Sequence, residues 1–357
     1  MFPEILFAAS AALLFSVTAG YGFLVNVLSR NIKMERKFQT PKITVIIPTF
    51  NEEKFIGKKL ENIFAQDYPR RKMEVIVSDA SDDNTTDIAK KFPVKIIRAE
   101  RGKINQINGA LKIAKTDIVV LTDADVILDK SAIKNALSLL HGKVGAVNGF
   151  KKLLPRKDFY FNGKKSYHEK DWNLRYKEGL IDSCCGLDGE LIAFRKSLAE
   201  KIPLDAYVDD FEMTFMIRKK GFRCVVDIEA IFYENPASGL KEEIKQMRRR
   251  TMHSIFTVFG HLDFLFNGKF GFFGLATLPF RRFLIFFAPF LLAYVLLYLY
   301  LFSPALAAAL LLAYGAALLV SKKVFYNSVM LLSIALAWLD IALGRTKKGA
   351  RWEKNKR

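Results

Sequence analysis

The run ITVIIPTFNEE, residues 43–53, decides how this chain is read. Ile43 to Pro48 is a continuous apolar stretch bounded by turn residues, the pattern of a strand buried on both faces of a parallel sheet. The chain then alternates. Ile56, Leu60, Ile63 and Phe64 fall at helical spacing, MEVIVS (73–78) gives a second strand, and a helix is expected from about Asn84 to Lys91. A strand at Val94 to Ile97, a helix at Ile104 to Ala114 and a strand at Ile118 to Thr122 continue the pattern, and Lys143 to Asn148 closes it. Such order predicts a mostly parallel sheet flanked by helices. Ligands in that architecture bind beyond the carboxyl ends of the strands.

Carboxylates collect at those ends. The first strand runs into Pro48-Thr49-Phe50-Asn51-Glu52-Glu53, the second into Asp79-Ala80-Ser81-Asp82-Asp83-Asn84-Thr85, and the fourth into Thr122-Asp123-Ala124-Asp125. An Asp at a strand's end can simply cap the next helix, as Asp83 or Asn84 can here. Three clusters from three strands converge on one crevice, which capping does not require. Neither GxGxxG nor GxxxxGK followed by Ser or Thr occurs, so no glycine-rich loop is present to cradle phosphates. Phosphates in such a crevice need a cation. The spacing Asp123-x-Asp125 suits Mg²⁺ or Mn²⁺, which prefer oxygen ligands and bridge to substrate phosphates.

The 357 residues are 51% hydrophobic and 25% charged, and 55 Lys+Arg against 36 Asp+Glu leave +19. The apolar content excludes a disordered chain, and three Cys exclude a disulfide scaffold. Ile5 to Leu28 holds no charge over 24 positions, enough to cross about 30 Å of hydrocarbon. Its head carries Glu4 rather than Lys or Arg, unlike a signal peptide. Phe283 to Phe302, Ala305 to Val320 and Val324 to Leu343 are three further membrane segments, the last containing Asn327 and Asp340. Arg30, Lys33, Arg36 and Lys37 after the first span, and Arg281 and Arg282 before the second, place the middle of the chain in the cytoplasm. The tail from Arg345 to Arg357, with seven basic residues and one Glu, opposes that rule if Val324 to Leu343 crosses, so crossing and re-entry both stay open. The expectation is therefore a multi-pass cell-membrane protein whose catalytic domain is cytoplasmic. The basic excess lies beside membrane segments, where anionic lipid is a sufficient partner, so nucleic acid is not expected. Four spans without a paired repeat do not make a transporter.

The clusters also resemble a known family. Pro48-Thr49-Phe50-Asn51-Glu52, the Asp79 to Thr85 run, Gly102-Lys103 with Asn108-Gly109-Ala110-Leu111, and Asp123-Ala124-Asp125 look like the family 2 glycosyltransferases. Gly189 to Arg195 and Asp209-Asp210-Phe211-Glu212-Met213-Thr214, with Arg218 and Gly221, are similar to the second half of that pattern. The resemblance covers roughly Lys42 to Arg250. The flanking apolar segments resemble the membrane-integrated branch, with cellulose, chitin and hyaluronan synthases and ceramide glucosyltransferases.

The resemblance implies a GT-A fold and inverting transfer from a nucleoside-diphosphate sugar, UDP- favoured over GDP-, with Mg²⁺ or Mn²⁺. It implies that Asp79 contacts the nucleobase or ribose, that Pro48, Thr49, Asn51 and Glu52 line the same nucleotide-sugar pocket, and that Lys103 sits near the nucleotide. Asp123 would face nucleotide and sugar, and Asp125, with Asp123, the metal that bridges the diphosphate. Asp210 would be the general base, next to Asp209 where the family usually has Glu. Family members often carry Gln-x-x-Arg-Trp further on. Here Gln246 and Arg249 match, but Arg250 stands in place of Trp. That departure removes a stacking surface for an acceptor sugar and favours transfer to a lipid or lipid-linked glycan over polymer synthesis. Processive polysaccharide synthesis is the alternative within the family. A membrane scaffold that binds nucleotide-sugar without transferring it is the alternative outside catalysis. Arg248 to Arg250 also read simply as a basic run facing anionic lipid, and Trp172 as packing or a second sugar platform.

The expected domains are an N-terminal membrane helix with its basic flank (1–37), a GT-A domain (38–240), an interfacial segment (241–282), C-terminal membrane helices (283–343) and a basic tail (344–357). The Phe- and Gly-rich stretch from His253 to Pro279 supports the interfacial element. Cys184, Cys185 and Cys224 fit no zinc spacing, and His141, His168, His253 and His261 form no ligand spacing, so all are read as structural or surface residues.

Overall fold

Every residue from Ile43 to Thr49 is buried, as a strand covered on both faces requires. The computed structural model describes residues 2–155, 161–235 and 239–345; most of the basic tail therefore lies outside the described residues. Two N-terminal helices, α1 (Phe2–Phe15) and α2 (Tyr21–Leu28), precede the sheet. Strand β1 (Ile43–Thr49) pairs in parallel with β2 (Met73–Asp79) and β4 (Ile118–Leu121), and β2 with β3 (Lys95–Arg98). The register puts Thr49 opposite Asp79, and Asp79 opposite Arg98. Between these strands run α3 (Ile56–Phe64), α4 (Thr85–Ala89) and α5 (Lys103–Ile113), close to the expected positions.

The second half departs from simple alternation. Strands β5 (Ile127–Leu128), β6 (Val144–Leu153), β7 (Ile192–Arg195) and β8 (Arg223–Glu234) extend the sheet to eight, in the order β3-β2-β1-β4-β7-β6-β8-β5. β7 lies antiparallel between β4 and β6, and β5 is antiparallel to β8. The sheet is thus mixed: β1 to β4 form one parallel block, and β6 pairs in parallel with β8. Helix α6 (Ala132–Leu139) and the long α7 (Phe161–Ile181) lie against β6 and β8, while α8 (Asp209–Lys219) precedes β8. One apolar core of Ile, Val, Leu and Ala from these elements joins both halves, with Trp172 inside it.

Four helices complete the chain: α9 (Leu240–Phe259), α10 (Ala288–Phe302), α11 (Pro304–Val320) and α12 (Lys322–Ala342). Among the described residues, three helical stretches are long and apolar enough to cross a membrane: Pro3–Leu28, Phe273–Phe302 and Lys322–Ala342. Helix α11 has 17 residues, about 25 Å at 1.5 Å each, and falls short of that length. The last stretch has one buried stripe, Tyr326, Val329, Ser333, Ala337 and Asp340, at helical spacing. It is this stripe that meets α9 and α7. Its acid is neutralised there, since Arg248 of α9 donates to both oxygens of Asp340. The Phe-rich stretch after α9 is partly core: Phe264, Phe270 and Phe273 are buried against Phe211 and Phe215 of α8.

Candidate active site

The first wall of the site is held by its own hydrogen bonds. Thr49 Oγ1 donates to Asp79 Oδ1 at 2.7 Å, Ser81 N–H to the same oxygen at 3.2 Å, and Arg98 Nη1 to Oδ2 at 3.2 Å; Thr86 Oγ1 also donates to Oδ2. Asp79 is fully buried, so these donors compensate a charge removed from water. Asn51 turns the chain off β1 in the left-handed region, φ 57°, which Asn tolerates better than most residues. Its N–H donates to Ser81 Oγ at 2.7 Å, and its Oδ1 accepts from Asp82 N–H at 2.8 Å. Asp83 accepts from Thr85 N–H at 3.0 Å just ahead of α4, while Asn84, the residue that precedes the helix, makes no side-chain cap.

In front of this wall opens a cavity of about 780 Å³, the size range of small-molecule sites. Glu52, Lys103, Asp123, Asp125, Asp209, Asp210 and Arg249 line it. Pro48, Thr49, Asn51 and Asp79 stand behind it, and Gln246 faces a second, smaller cavity next to it. Lys103, the first residue of α5, puts Nζ 2.9 Å from Asp123 Oδ1 and 3.7 Å from Asp209 Oδ2. It is therefore a cross-link between the strand-end acids and α8, not a solvated helix start. Burial opposes its charge, but Asp123, Asp209 and Asp210 outweigh that and raise its pKa.

Asp210 sits in the first turn of α8, and Gly189 N–H donates to its Oδ2 at 2.8 Å. A Cβ at Gly189 would stand 2.8 Å from Lys103 Nζ and 3.3 Å from Asp210 Oδ2, so the close backbone approach requires glycine. Burial first, then the carboxylates of Asp209 and Asp188, push Asp210 up to about 7. That value suits proton abstraction near neutral pH. Val208, not Asp209 or Asp210, precedes the helix, and no side chain caps it.

A residue that the sequence pattern does not single out supports the same loop. Lys59 of α3 is fully buried, and its Nζ donates to Thr122 Oγ1 at 2.8 Å and to Val126 O at 3.0 Å. These partners flank Asp123-Ala124-Asp125 on either side. Burial lowers Lys59 to about 7 although Asp123 opposes the shift. Lys59 stands three residues after Ile56 and four before Ile63, on the apolar face of α3; its charge disguised that position in the sequence.

Among the described residues no three His, Cys, Asp or Glu side chains stand close enough to enclose a metal. The donor set fits an ion shared with substrate. Asp123 and Asp125 present hard oxygens to the cavity, and the buried Oδ2 of Asp209 has no hydrogen-bond partner. A divalent cation held by one or two carboxylates completes its shell with phosphate oxygens and water.

The opposite wall comes from α9 and the start of the following span. Arg249, Arg250 and His253 of α9, with Arg282, reach the cavity. The basic run thus faces protein: Arg248 binds Asp340, and its two neighbours line the site. Arg36 and Arg281, counted above as positive flanks of spans, also have protein partners. Arg36 Nη2 is 2.6 Å from Asp227, and Arg281 pairs with Asp171 and, at 2.9 Å, with Glu178. Trp172 is core, edge-on to Phe150 and Phe232 rather than a platform in the main cavity. His253, read as structural or surface, is a cavity residue. Cys184, Cys185 and Cys224 are free and buried.

Residues 41–253 match the family model described as "Glycosyltransferase like family 2". The chain belongs to this glycosyltransferase family. Its fold is GT-A, and over 96% of its length it is similar to all of a mannosyltransferase from Pyrobaculum calidifontis, solved in complex with GDP-Man and Mn²⁺, at 27% identity and a TM-score of 0.74. A dolichyl N-acetyl-alpha-D-glucosaminyl phosphate 3-beta-D-2,3-diacetamido-2,3-dideoxy-beta-D-glucuronosyltransferase of Methanococcus voltae is 37% identical over 102 residues, 26% of this chain and 32% of that protein. A poly-beta-1,6-N-acetyl-D-glucosamine synthase of Staphylococcus aureus is 26% identical over 195 residues, 51% of this chain and 47% of that protein. The chain spans between 19% and 60% of the length of the curated relatives it matches.

Proposed function

We propose that this family 2 glycosyltransferase is a membrane-bound inverting enzyme that moves a sugar from a nucleoside-diphosphate sugar to a hydroxyl of a lipid or lipid-linked acceptor. One observation carries the reading: a single cavity is walled on one side by Asp123, Asp125, Asp209 and Asp210, and on the other by Arg249, Arg250 and Arg282, which enter from α9 and a candidate span. A site built that way meets a polar donor on one side and a membrane-borne acceptor on the other. The division into an N-terminal anchor, a cytoplasmic GT-A domain, an interfacial segment and C-terminal membrane helices goes with it.

In this mechanism Asp210 takes the proton of the acceptor hydroxyl. The hydroxyl oxygen bonds to the anomeric carbon as the bond from that carbon to the diphosphate oxygen breaks, which inverts the centre in one displacement. Lys103 holds Asp123 and Asp209 at fixed spacing, and Arg249 stabilises the departing diphosphate by charge-assisted hydrogen bonds. Asp125 and Asp123 would hold Mg²⁺ or Mn²⁺, which when bound neutralises charge developing on the leaving group. Asp79 and Thr49, behind the cavity, shape the nucleotide end; Gln246 acts from the neighbouring cavity. The sequence preference for UDP over GDP gains no support, since the full-length structural relative was solved with GDP-Man.

Processive polymer synthesis is the second reading, favoured by the similarity to the poly-N-acetylglucosamine synthase. Arg250 in place of Trp weighs against it. A donor-binding scaffold has no use for a carboxylate raised to about 7 at the reacting end. The test is nucleotide release by the detergent-solubilised chain across UDP- and GDP-sugars, with and without Mn²⁺ and lipid extract. Release with one donor, dependent on metal and increased by lipid, is expected. Release unaffected by lipid sinks the lipid-acceptor reading, and a product that lengthens by repeated addition favours the polymer synthase.

A further inference from the structure

A second cavity of about 210 Å³ adjoins the first and shares Arg175, Asp188, Arg250, Ser254 and Arg282 with it. At this volume it is small for a nucleotide-sugar and ample for a single charged group. Its two ends differ. Toward the reaction cavity stand cations; toward the spans stand Ile285 and Phe286, and Met330 and Ile334 of α12.

The cations are not equivalent. Lys151 is matched by Glu190 at 2.8 Å and Glu234 at 2.9 Å, Lys164 by Glu243, Arg175 by Asp171 at 2.8 Å, and Arg281 by Asp171 and Glu178. Arg250 and Arg282 have no carboxylate within 4 Å among the described residues. Arg282 only donates to Cys185 O at 3.4 Å and lies 5.2 Å over the Phe211 ring. Arg250 lies in the field of Glu234, Asp188, Glu243 and Asp210 without pairing closely with any of them; two guanidinium groups at one junction with no ion pair of their own favour an anion, and the planar fork of Arg suits phosphate in particular. Arg250 is also the residue that departs from the family's aromatic position. The departure exchanges a surface for stacking a neutral sugar for a charge.

We propose that this second cavity seats the phosphate of an anionic lipid acceptor, its chain leaving past Ile285, Phe286, Met330 and Ile334. The inference rests on the lipid-acceptor reading above and narrows it: phosphate is recognised at Arg250 and Arg282, while the sugar moves in the larger cavity. Ligand chemistry is split along the cavity, charge at the junction and hydrocarbon toward α12. A neutral lipid satisfies only the second half, and free phosphate only the first.

The experiment uses the full chain in detergent micelles, with a polyprenyl phosphate, the polyprenol of equal length and inorganic phosphate as probes. Binding is read as a shift in Tm, independent of turnover, because a ligand bound to the folded state alone raises it. The polyprenyl phosphate is expected to bind at least tenfold more tightly than either other probe. Arg250→Gln and Arg282→Gln are expected to remove most of that advantage, Arg→Lys to restore part of it, and an unchanged far-ultraviolet circular dichroism spectrum and gel-filtration elution certify that each variant is folded. Met330→Trp, which fills the apolar end, is expected to weaken polyprenyl phosphate and spare the nucleotide. Equal binding of polyprenol and polyprenyl phosphate overturns the proposal, as does inorganic phosphate binding as tightly as the lipid. A glycan carried on a neutral lipid that is glycosylated faster than the same glycan on a polyprenyl diphosphate overturns it too while leaving the lipid-acceptor reading intact. If no lipid is glycosylated, that reading fails separately, and the binding comparison still decides the cavity.

Discussion

The two walls of the crevice are built by opposite means. The wall beneath β1, β2 and β4 is tied by short-range pairs: Thr49 to Asp79, Asn51 to Ser81 and Glu52 to Thr85, each about thirty residues apart. These bonds hold its shape before any ligand arrives. The wall of α7, α9 and the last spans is tied across longer distances, Arg281 to Asp171 and Arg248 to Asp340, and leaves two arginines facing the cavities. On the proposed function, the donor side is set by the parallel strands β1, β2 and β4, and the acceptor side by how the apolar C-terminal helices meet them.

Asp125→Asn tests the donor wall most severely. Removing one of the two oxygen donors is expected to abolish turnover, since a metal contributes several kcal/mol to the transition state. Chelation should do the same reversibly, with Mn²⁺ or Mg²⁺ restoring activity. Full activity of Asp125→Asn, with an unaltered metal requirement, would move the ion elsewhere.

Asp210→Asn tests the seam. Transfer should fall about 10²- to 10⁴-fold, with donor affinity kept, and loss of donor binding instead would assign Asp210 to the donor wall. Two pH effects follow from its pKa of about 7. As a base it must be ionised, so the rate of transfer should rise with pH through about 7. For stability the sign is opposite: the folded state holds this proton more tightly than the unfolded chain, whose Asp titrates near 4. Stability from this group is full below about 4 and is lost as pH rises through about 7. Asp210→Asn should therefore raise Tm at pH 8 and change it little at pH 4. A variant less stable than the parent at pH 8 would contradict the buried, raised carboxylate.

The contrast between walls also explains what was legible in the sequence. The strands at Ile43, Met73, Lys95 and Ile118 were visible because each is a short apolar run, three of them ending in acids. β7 and β8 were not: their partners lie far along the chain, and an antiparallel strand set between two parallel ones leaves no local signal. Asp123, Asp125 and Asp210 could be picked by pattern, but not that Lys103 links the acids or that Asp79 lies behind the cavity. Lys59 was hidden because its charge argues for solvent although its spacing from Ile56 and Ile63 puts it on the buried face of α3. The basic run at 248–250 was visible as charge, yet only packing separates its three roles.

Lys59→Met has a smaller expected effect, divided unequally. Met keeps the apolar stem but leaves Val126 O without its buried donor, a cost of about 1–3 kcal/mol, while Thr122 Oγ1 keeps its own bond to Glu190 O; removing a desolvated charge partly offsets the loss. The net loss of stability should be modest. Loosening both ends of the Asp123-Asp125 loop should raise donor KM and the metal concentration needed for half-maximal rate several-fold, with acceptor KM unchanged. Equal changes in both KM values would show that the walls are coupled through the core.

Asp340→Asn makes the converse cut, in a helix that the sequence left undecided. Arg248 is about one-third exposed and Asp340 largely buried, so their pair is neither a free surface contact nor a fully desolvated one. Asn keeps the size and one acceptor oxygen, and the expected cost is about 1 kcal/mol, a Tm decrease of about 2–4 °C. The distinction lies in the kinetics. Helix α12 supplies Tyr326, Met330 and Ile334 to the second cavity and no residue to the first. A shift of α12 against α9 should therefore raise acceptor KM a few-fold and leave donor KM alone. If donor KM rises by the same factor, α12 supports the whole crevice rather than one wall, and the division between the two sides does not hold.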